Sequence, residues 1–161
     1  MKARAIKGLA VVSIDTGAKL GYVDNVLFDT SQLVISAFRI DADGQQAVVP
    51  FDQVRSIGTD AVTIPNNDVV RWPSAGGDGG AGTTLDDLEK RKIVDEAGDY
   101  LGTVTNVEVD PQEGRVTHLQ AHKGGILGIG GNTIDIDRAD VISVGDEVMV
   151  VRVAQPTRTE D

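Results

Sequence analysis

Two histidines, three clustered aspartates, an Asp-Ala-Asp-Gly tetrad and a glycine-rich stretch are the residues of this chain whose types and spacing could do chemistry. His118 and His122 are its only histidines, and four positions along a strand put them on one face about 13 Å apart. Two ligands of one zinc ion need their nitrogens within about 4 Å of each other, so the pair reads as surface or half-buried rings. Asp41-Ala42-Asp43-Gly44 resembles part of a calcium loop, yet alignment on Gly44 puts Arg39 at the first ligand position and Pro50 at the last. A hairpin turn at Asp43-Gly44 is the better reading, because glycine accepts the positive φ of a tight turn. Asp135, Asp137 and Asp140 invite a metal or general-acid role. Alternation with Ile134 and Ile136 puts Asp135 and Asp137 on one strand face, so the set reads as solvated instead, with a weak divalent site as the alternative. Gly125-Ile126-Leu127-Gly128-Ile129-Gly130-Gly131 lacks the lysine of a phosphate loop and the helix that must follow one. As a hairpin it would present Ile126, Leu127 and Ile129 at its tip, where they either cap the end of a barrel or form an apolar docking loop. With no cysteine and no Gly-x-Ser-x-Gly elbow, no catalytic residue, metal ligand or cofactor site is assigned.

The elements that must position these residues occur twice. Val12 to Asp29 returns 81 positions later as Ile93 to Asp110, with seven of eighteen residues identical, including Gly17/Gly98, Leu20-Gly21/Leu101-Gly102, Asn25/Asn106 and Asp29/Asp110. Val54 to Ile64 matches Val141 to Val151 at an offset of 87. The extra six residues fall in the glycine-rich stretch, so the second copy carries an enlarged loop. Runs of Val, Ile and Thr punctuated by Gly, Asp, Asn and Pro predict strands at 10–14, 21–29, 34–41, 46–50, 54–58 and 61–65. In the second copy they predict 92–95, 100–110, 115–122, 132–137, 141–144 and 147–153. Along 101–109 the apolar parity switches, which predicts a bulge or bend eased by Gly102.

The 161 residues divide into a first unit at 1–72, a Gly-rich tether at 73–87, a second unit at 88–154 and a disordered tail at 155–161. Thr84 with Asp87 predicts one capped helical turn at the end of the tether. Units this small bury only about 60 per cent of their unfolded surface, so the copies must pack on each other or on a neighbouring chain, a homodimer included. Net charge is −10. Residues 1–72 hold seven Lys+Arg against eight Asp+Glu, and 73–161 hold eight against seventeen, giving −1 and −9. Such a surface repels nucleic acid and anionic membrane and suits a basic protein surface. With no apolar run long enough for a signal core or a membrane span, a cytoplasmic location is expected.

Lys7-Gly8-Leu9, Val11-Val12-Ser13, Gly17, Leu20-Gly21, Val23, Val26, Phe28-Asp29, Val49-Pro50-Phe51-Asp52-Gln53-Val54 and Ser56-Ile57-Gly58 together resemble the PRC-barrel domain. The second copy resembles it through Gly98, Leu101-Gly102, Val104, Val107, Asp110 and the 125–131 stretch, but has Asp135-Ile136-Asp137-Arg138 where the Val-Pro-aromatic turn should stand. The resemblance implies an all-β protein of two small, mostly antiparallel barrels in tandem. Similar modules form the cytoplasmic part of the photosynthetic reaction-centre H subunit and the C-terminal domain of a ribosome maturation factor, where they bind protein and do no chemistry. The expected function is a non-enzymatic adaptor, with Ile126, Leu127, Ile129, Asp135, Asp137 and Asp140 as partner-binding residues. The alternatives are a barrel holding a small ligand or metal, and an accessory factor in ribosome or RNA processing.

Overall fold

The structure, a computed structural model, describes residues 1–73, 82–126 and 129–152, with the backbone alone at 125, 126, 129 and 130. In the first unit β1 (Ala10–Ser13), β2 (Lys19–Asp29), β3 (Val34–Ala42), β4 (Gln45–Pro50), β5 (Ser56–Ile57) and β6 (Ala61–Ile64) form a sheet of order β4-β3-β2-β1-β6-β5. A two-residue strand, β7 (Thr83–Thr84), pairs with the end of β2 and leads into a one-turn helix, α1 (Leu85–Leu88). The second unit repeats the plan with β8 (Lys92–Asp95), β9 (Tyr100–Val109), β10 (Val116–Ile126), β11 (Ile129–Asp137), β12 (Val141–Val144) and β13 (Val148–Val151), in the order β11-β10-β9-β8-β13-β12. Among the described residues no helix is long and apolar enough to cross a membrane.

The protein is all-β, as expected, but the sheets are not mostly antiparallel closed barrels. Both are mixed, because β1 runs parallel to β6 and β8 parallel to β13. Neither path closes, since its end strands pair with one neighbour each. Residue alternation reports which face a strand buries and says nothing of its neighbour's direction. The direction is set by the 3-10 turns Phe51–Gln53 and Arg138–Asp140, which follow β4 and β11 and lead into the pairs β5-β6 and β12-β13. Pro50, with no N–H to donate, ends the edge strand β4, where its missing donor costs least.

Asp43 and Gly44 form the predicted hairpin turn, with φ of 55° and 84°. The predicted bulge is present in both copies beside the glycine, where Leu20 and Leu101 are extra against β1 and β8, and a second one lies at Asp24 and Thr105. Val23 pairs with Ile40 and Asn25 with Arg39, leaving Asp24 extra, and Thr105 is extra between Val104 and Asn106 in the same way. Gly21 and Gly102 also serve a second purpose. A Cβ would lie 2.3 Å from the Asp41 carbonyl oxygen at Gly21 and 2.8 Å from the His122 carbonyl carbon at Gly102, so only glycine allows β2 and β9 to approach β3 and β10. The first strand is also displaced by one residue from the sequence alignment. Val11 faces Gly21 as Ile93 faces Gly102, so Val11, and not Val12, is the partner of Ile93.

The two units share one core. Phe28, Phe38, Ile40 and Val62 belong to the same buried cluster as Ile93, Val107, Leu119 and Met149, with Leu85 and Leu88 among them. At about 1.5–3 kcal/mol for each large apolar side chain buried, joining the cores supplies what a unit of this size lacks alone.

Candidate functional site

Three strands of the second unit carry a polar outer face. Register places Glu108, His118 and Asp137 in one row across β9, β10 and β11, and Asn106, Gln120 and Asp135 in the next. Leu119, Ala121 and Ile136 point to the buried side between them. Asn106 Nδ2 donates to Glu108 Oε2 at 3.0 Å and to Gln120 Oε1 at 3.3 Å, and Gln120 Nε2 donates to Asp135 Oδ1 at 2.9 Å. His122 Nδ1 meets Thr133 Oγ1 at 3.1 Å. Hydrogen bonding by Asn106, and next the nearby amino terminus, holds the Glu108 carboxyl below its ordinary pKa, with His118 adding less. His118 and His122 are half-buried on one face, as expected, each bonded to a threonine hydroxyl.

Asp135 and Asp137 lie exposed on the edge strand β11, with Ile134 half-buried and Ile136 buried behind them. Asp140 follows on the 3-10 turn, exposed, with Arg152 Nε 3.7 Å away. The three aspartates thus border one edge of the second sheet. Among the described residues no three His, Asp or Glu groups are arranged to hold a metal ion. Ile126 and Ile129 pair across the end of the β10-β11 hairpin, an extension of the ladder through Gly124 and Gly131. Their side chains, and Leu127 entirely, lie outside the described residues.

A second polar centre escaped the sequence reading. Asn25 and Asn106 follow the two bulges and are only 4% and 7% exposed. Asn25 Oδ1 accepts from Leu85 N at 3.1 Å, which caps α1 from the other unit's chain segment, and from Val26 N at 3.0 Å. Thr84 Oγ1 completes the predicted cap by accepting from Asp87 N. Asn106 Oδ1 is buried with no partner among the described residues. One signal was available: an asparagine followed by valine, identical in both copies, within a predicted strand.

Around these asparagines each unit lends its leading segment to its sister. Thr83-Thr84 pairs with Leu27-Phe28 of the first unit, and Lys2 bridges Glu108 of the second, with Val109 N donating to Met1 O at 2.8 Å. Both segments then make one helical turn, Leu85–Leu88 and the 3-10 turn Ala3–Ile6, whose first and last residues are buried. Between these arms lies an open cavity of about 570 Å³ lined by Arg4, Asp86, Glu89, Lys90, Val104 and Thr105. Equivalent turns also cross-pair: Ile35 N donates to Gly114 O at 2.8 Å, and Val116 N to Leu33 O at 3.0 Å. Val34 bridges its own counterpart, Arg115. Each residue meeting its equivalent is the mark of a two-fold relation, here within one chain.

The PRC-barrel domain family model matches the chain twice, at residues 1–70 and 83–155. The second match begins at Thr83, so the arm that sits on the first sheet belongs to the second unit. No curated protein matches the chain.

Proposed function

Because the chain belongs to the PRC-barrel domain family through both of its units, we propose that it is a non-enzymatic adaptor that captures a protein with a basic surface in the cytoplasm. The observation that carries this reading is the placement of Asp135, Asp137 and Asp140. They stand exposed along the edge of the sheet whose half of the chain, residues 73–161, holds the −9 excess. An exposed acidic edge steers a cationic partner and fixes its register, without bringing a nucleophile or a proton donor to a closed cleft. The glycine-rich 124–131 stretch is the second part of the surface in this reading, with Ile126, Leu127 and Ile129 as its apolar anchor. The polar row of Asn106, Gln120 and Asp135 supports it by fixing the Asp135 carboxylate in place. No catalytic step, cofactor or nucleic-acid contact belongs to the proposal. The ligand-holding alternative draws less support, because the cavity between the arms is open to solvent and the Arg4–Glu89 ion pair already occupies its lining.

Affinity capture from the native host with the wild-type chain identifies the partner. Reversing Asp135, Asp137 and Asp140 to Lys should then weaken binding about tenfold at ~0.15 M salt, with a smaller effect as salt rises. A triple variant and a Leu127→Asp variant that both retain every partner at wild-type affinity would refute the assignment of this surface.

A further inference from the structure

The two arms differ in sign where they meet. Equivalence of the buried pairs Ala3/Leu85 and Ile6/Leu88 makes Arg4 the counterpart of Asp86, and Lys7 the counterpart of Glu89. The ion pairs are crossed: Arg4 Nη2 meets Glu89 Oε2 at 3.0 Å, and Lys7 Nζ meets Asp86 Oδ1 at 2.7 Å. Arg4 Nη2 also donates to Thr105 O at 2.8 Å, which fixes the first arm against the bulge of the second sheet. Two arms of the first kind would place Arg4 against Lys7, and two of the second kind would place Asp86 against Glu89.

We propose that the arms are a charge-coded recognition surface through which the first unit takes the second and rejects a copy of itself. The partner is the sister unit of the same chain. Backbone pairing cannot make this choice. The bonds of Leu33 and Ile35 to Val116 and Gly114 use equivalent groups on both sides and would form as well between two identical units. The crossed ion pairs can choose, because each places unlike charges together only when a cationic arm meets an anionic one. The first arm, with Lys2, Arg4 and Lys7, and the second, with Asp86, Asp87 and Glu89, satisfy that condition in one combination. This inference is independent of the acidic edge and of any outside partner.

The test uses the full chain. Arg4→Glu with Lys7→Glu makes both arms acidic, Asp86→Lys with Glu89→Arg makes both basic, and all four changes together exchange the signs. Hydrogen exchange at Leu85 N–H and Val109 N–H reads arm opening, because these amides bond across the arms. Each like-charged variant should exchange about tenfold faster at low salt, while the sign-exchanged variant should return to within about twofold of wild type. Protection of β3 amides, unchanged in every variant, separates arm opening from loss of the fold. Wild-type exchange in the like-charged variants, or no recovery when the signs are exchanged, overturns the proposal. The chain has no cysteine, so a Lys7→Cys, Asp86→Cys pair reports the partner directly. A disulfide within one chain is expected, and a link between chains would overturn the assignment to the sister unit.

Discussion

The two units share a strand order, a bulge, a close-approach glycine and a buried asparagine, and they differ in a reciprocal way where they touch. The first unit has Leu33 and Phe51 at positions where the second has Gly114 and Arg138. The differences are reciprocal. Phe51 crosses Phe38 edge-on at 6.1 Å and fills the space above Gly114, where a Cβ would lie 2.7 Å from its ring. On the other side Arg138 reaches over to donate to Gln32 O, and Leu33 is buried. There the unfilled volume is about 280 Å³, lined by Thr30, Ser31, Leu33, Arg138 and β12. Large meets small across one half of the two-fold relation, and long polar meets apolar across the other. A duplicated pair therefore need not stay symmetric: once fused, each side of the contact can change if its opposite changes too. Leu33 also has a φ of 53° at the position where Gly114 has 76°, so the first unit holds a left-handed leucine where the second has a glycine.

The sharpest way to break this comparison is Gly114→Ala. It places a Cβ against the Phe51 ring in a positive-φ turn, and we expect a loss of about 2–3 kcal/mol in urea unfolding. The same change in a Phe51→Ala background should cost about 1 kcal/mol less, because the strained turn remains and the clash is gone. Equal costs in both backgrounds would show that the ring does not explain the glycine.

The buried asparagines make a finer contrast. Asn25→Ala strips Leu85 N and Val26 N of their acceptor and should destabilise by about 1–2 kcal/mol. Asn106→Ala also removes an acceptor that has no partner, so its cost should be below about 1 kcal/mol. Chemical denaturation of both variants checks the order, and a larger loss at Asn106 would reverse this account of the two sites.

Acid should loosen both arms by a smaller amount. The Asp86 carboxyl is held below its ordinary pKa chiefly by the hydrogen bond from Lys7, and Glu108 below its own by Asn106. A carboxyl depressed in the folded state contributes stability that is complete above its unfolded value and fades as pH falls through the folded one. Arm opening, read as exchange relative to the intrinsic amide rate at each pH, should thus be flat above about pH 5 and increase below about pH 4. Lys7→Met should reduce the acid response of the arm docked on the first sheet and leave the response at Val109 in place.

Most strands were legible because a sheet buries every second residue, and that period survives in Val11 and Ser13, Leu119 and Ala121, or Ile134 and Ile136. Turn chemistry was legible at Asp43-Gly44 and at Thr84. The acidic edge was legible too, since alternation along β11 alone puts Asp135 and Asp137 on one face. The bulge beside Gly102 was legible as a parity switch eased by a glycine, but the second one was not, because its extra residue, Thr105, is defined only against β10 on another strand. Parallel pairing of β1 with β6 was equally invisible, since direction is a relation between strands.

By itself the sequence determined that one β unit is present twice, where its turns fall, and that the second copy carries most of the negative charge. These are properties of neighbouring residues and of their repetition. Tertiary structure alone decided that Met1 to Ile6 lies on the second sheet and Thr83 to Leu88 on the first. A four-residue helical turn has the same local preferences on either sheet. Its place is fixed by burial, by Asn25 and by charges some eighty residues away, and those meet only when the chain is folded.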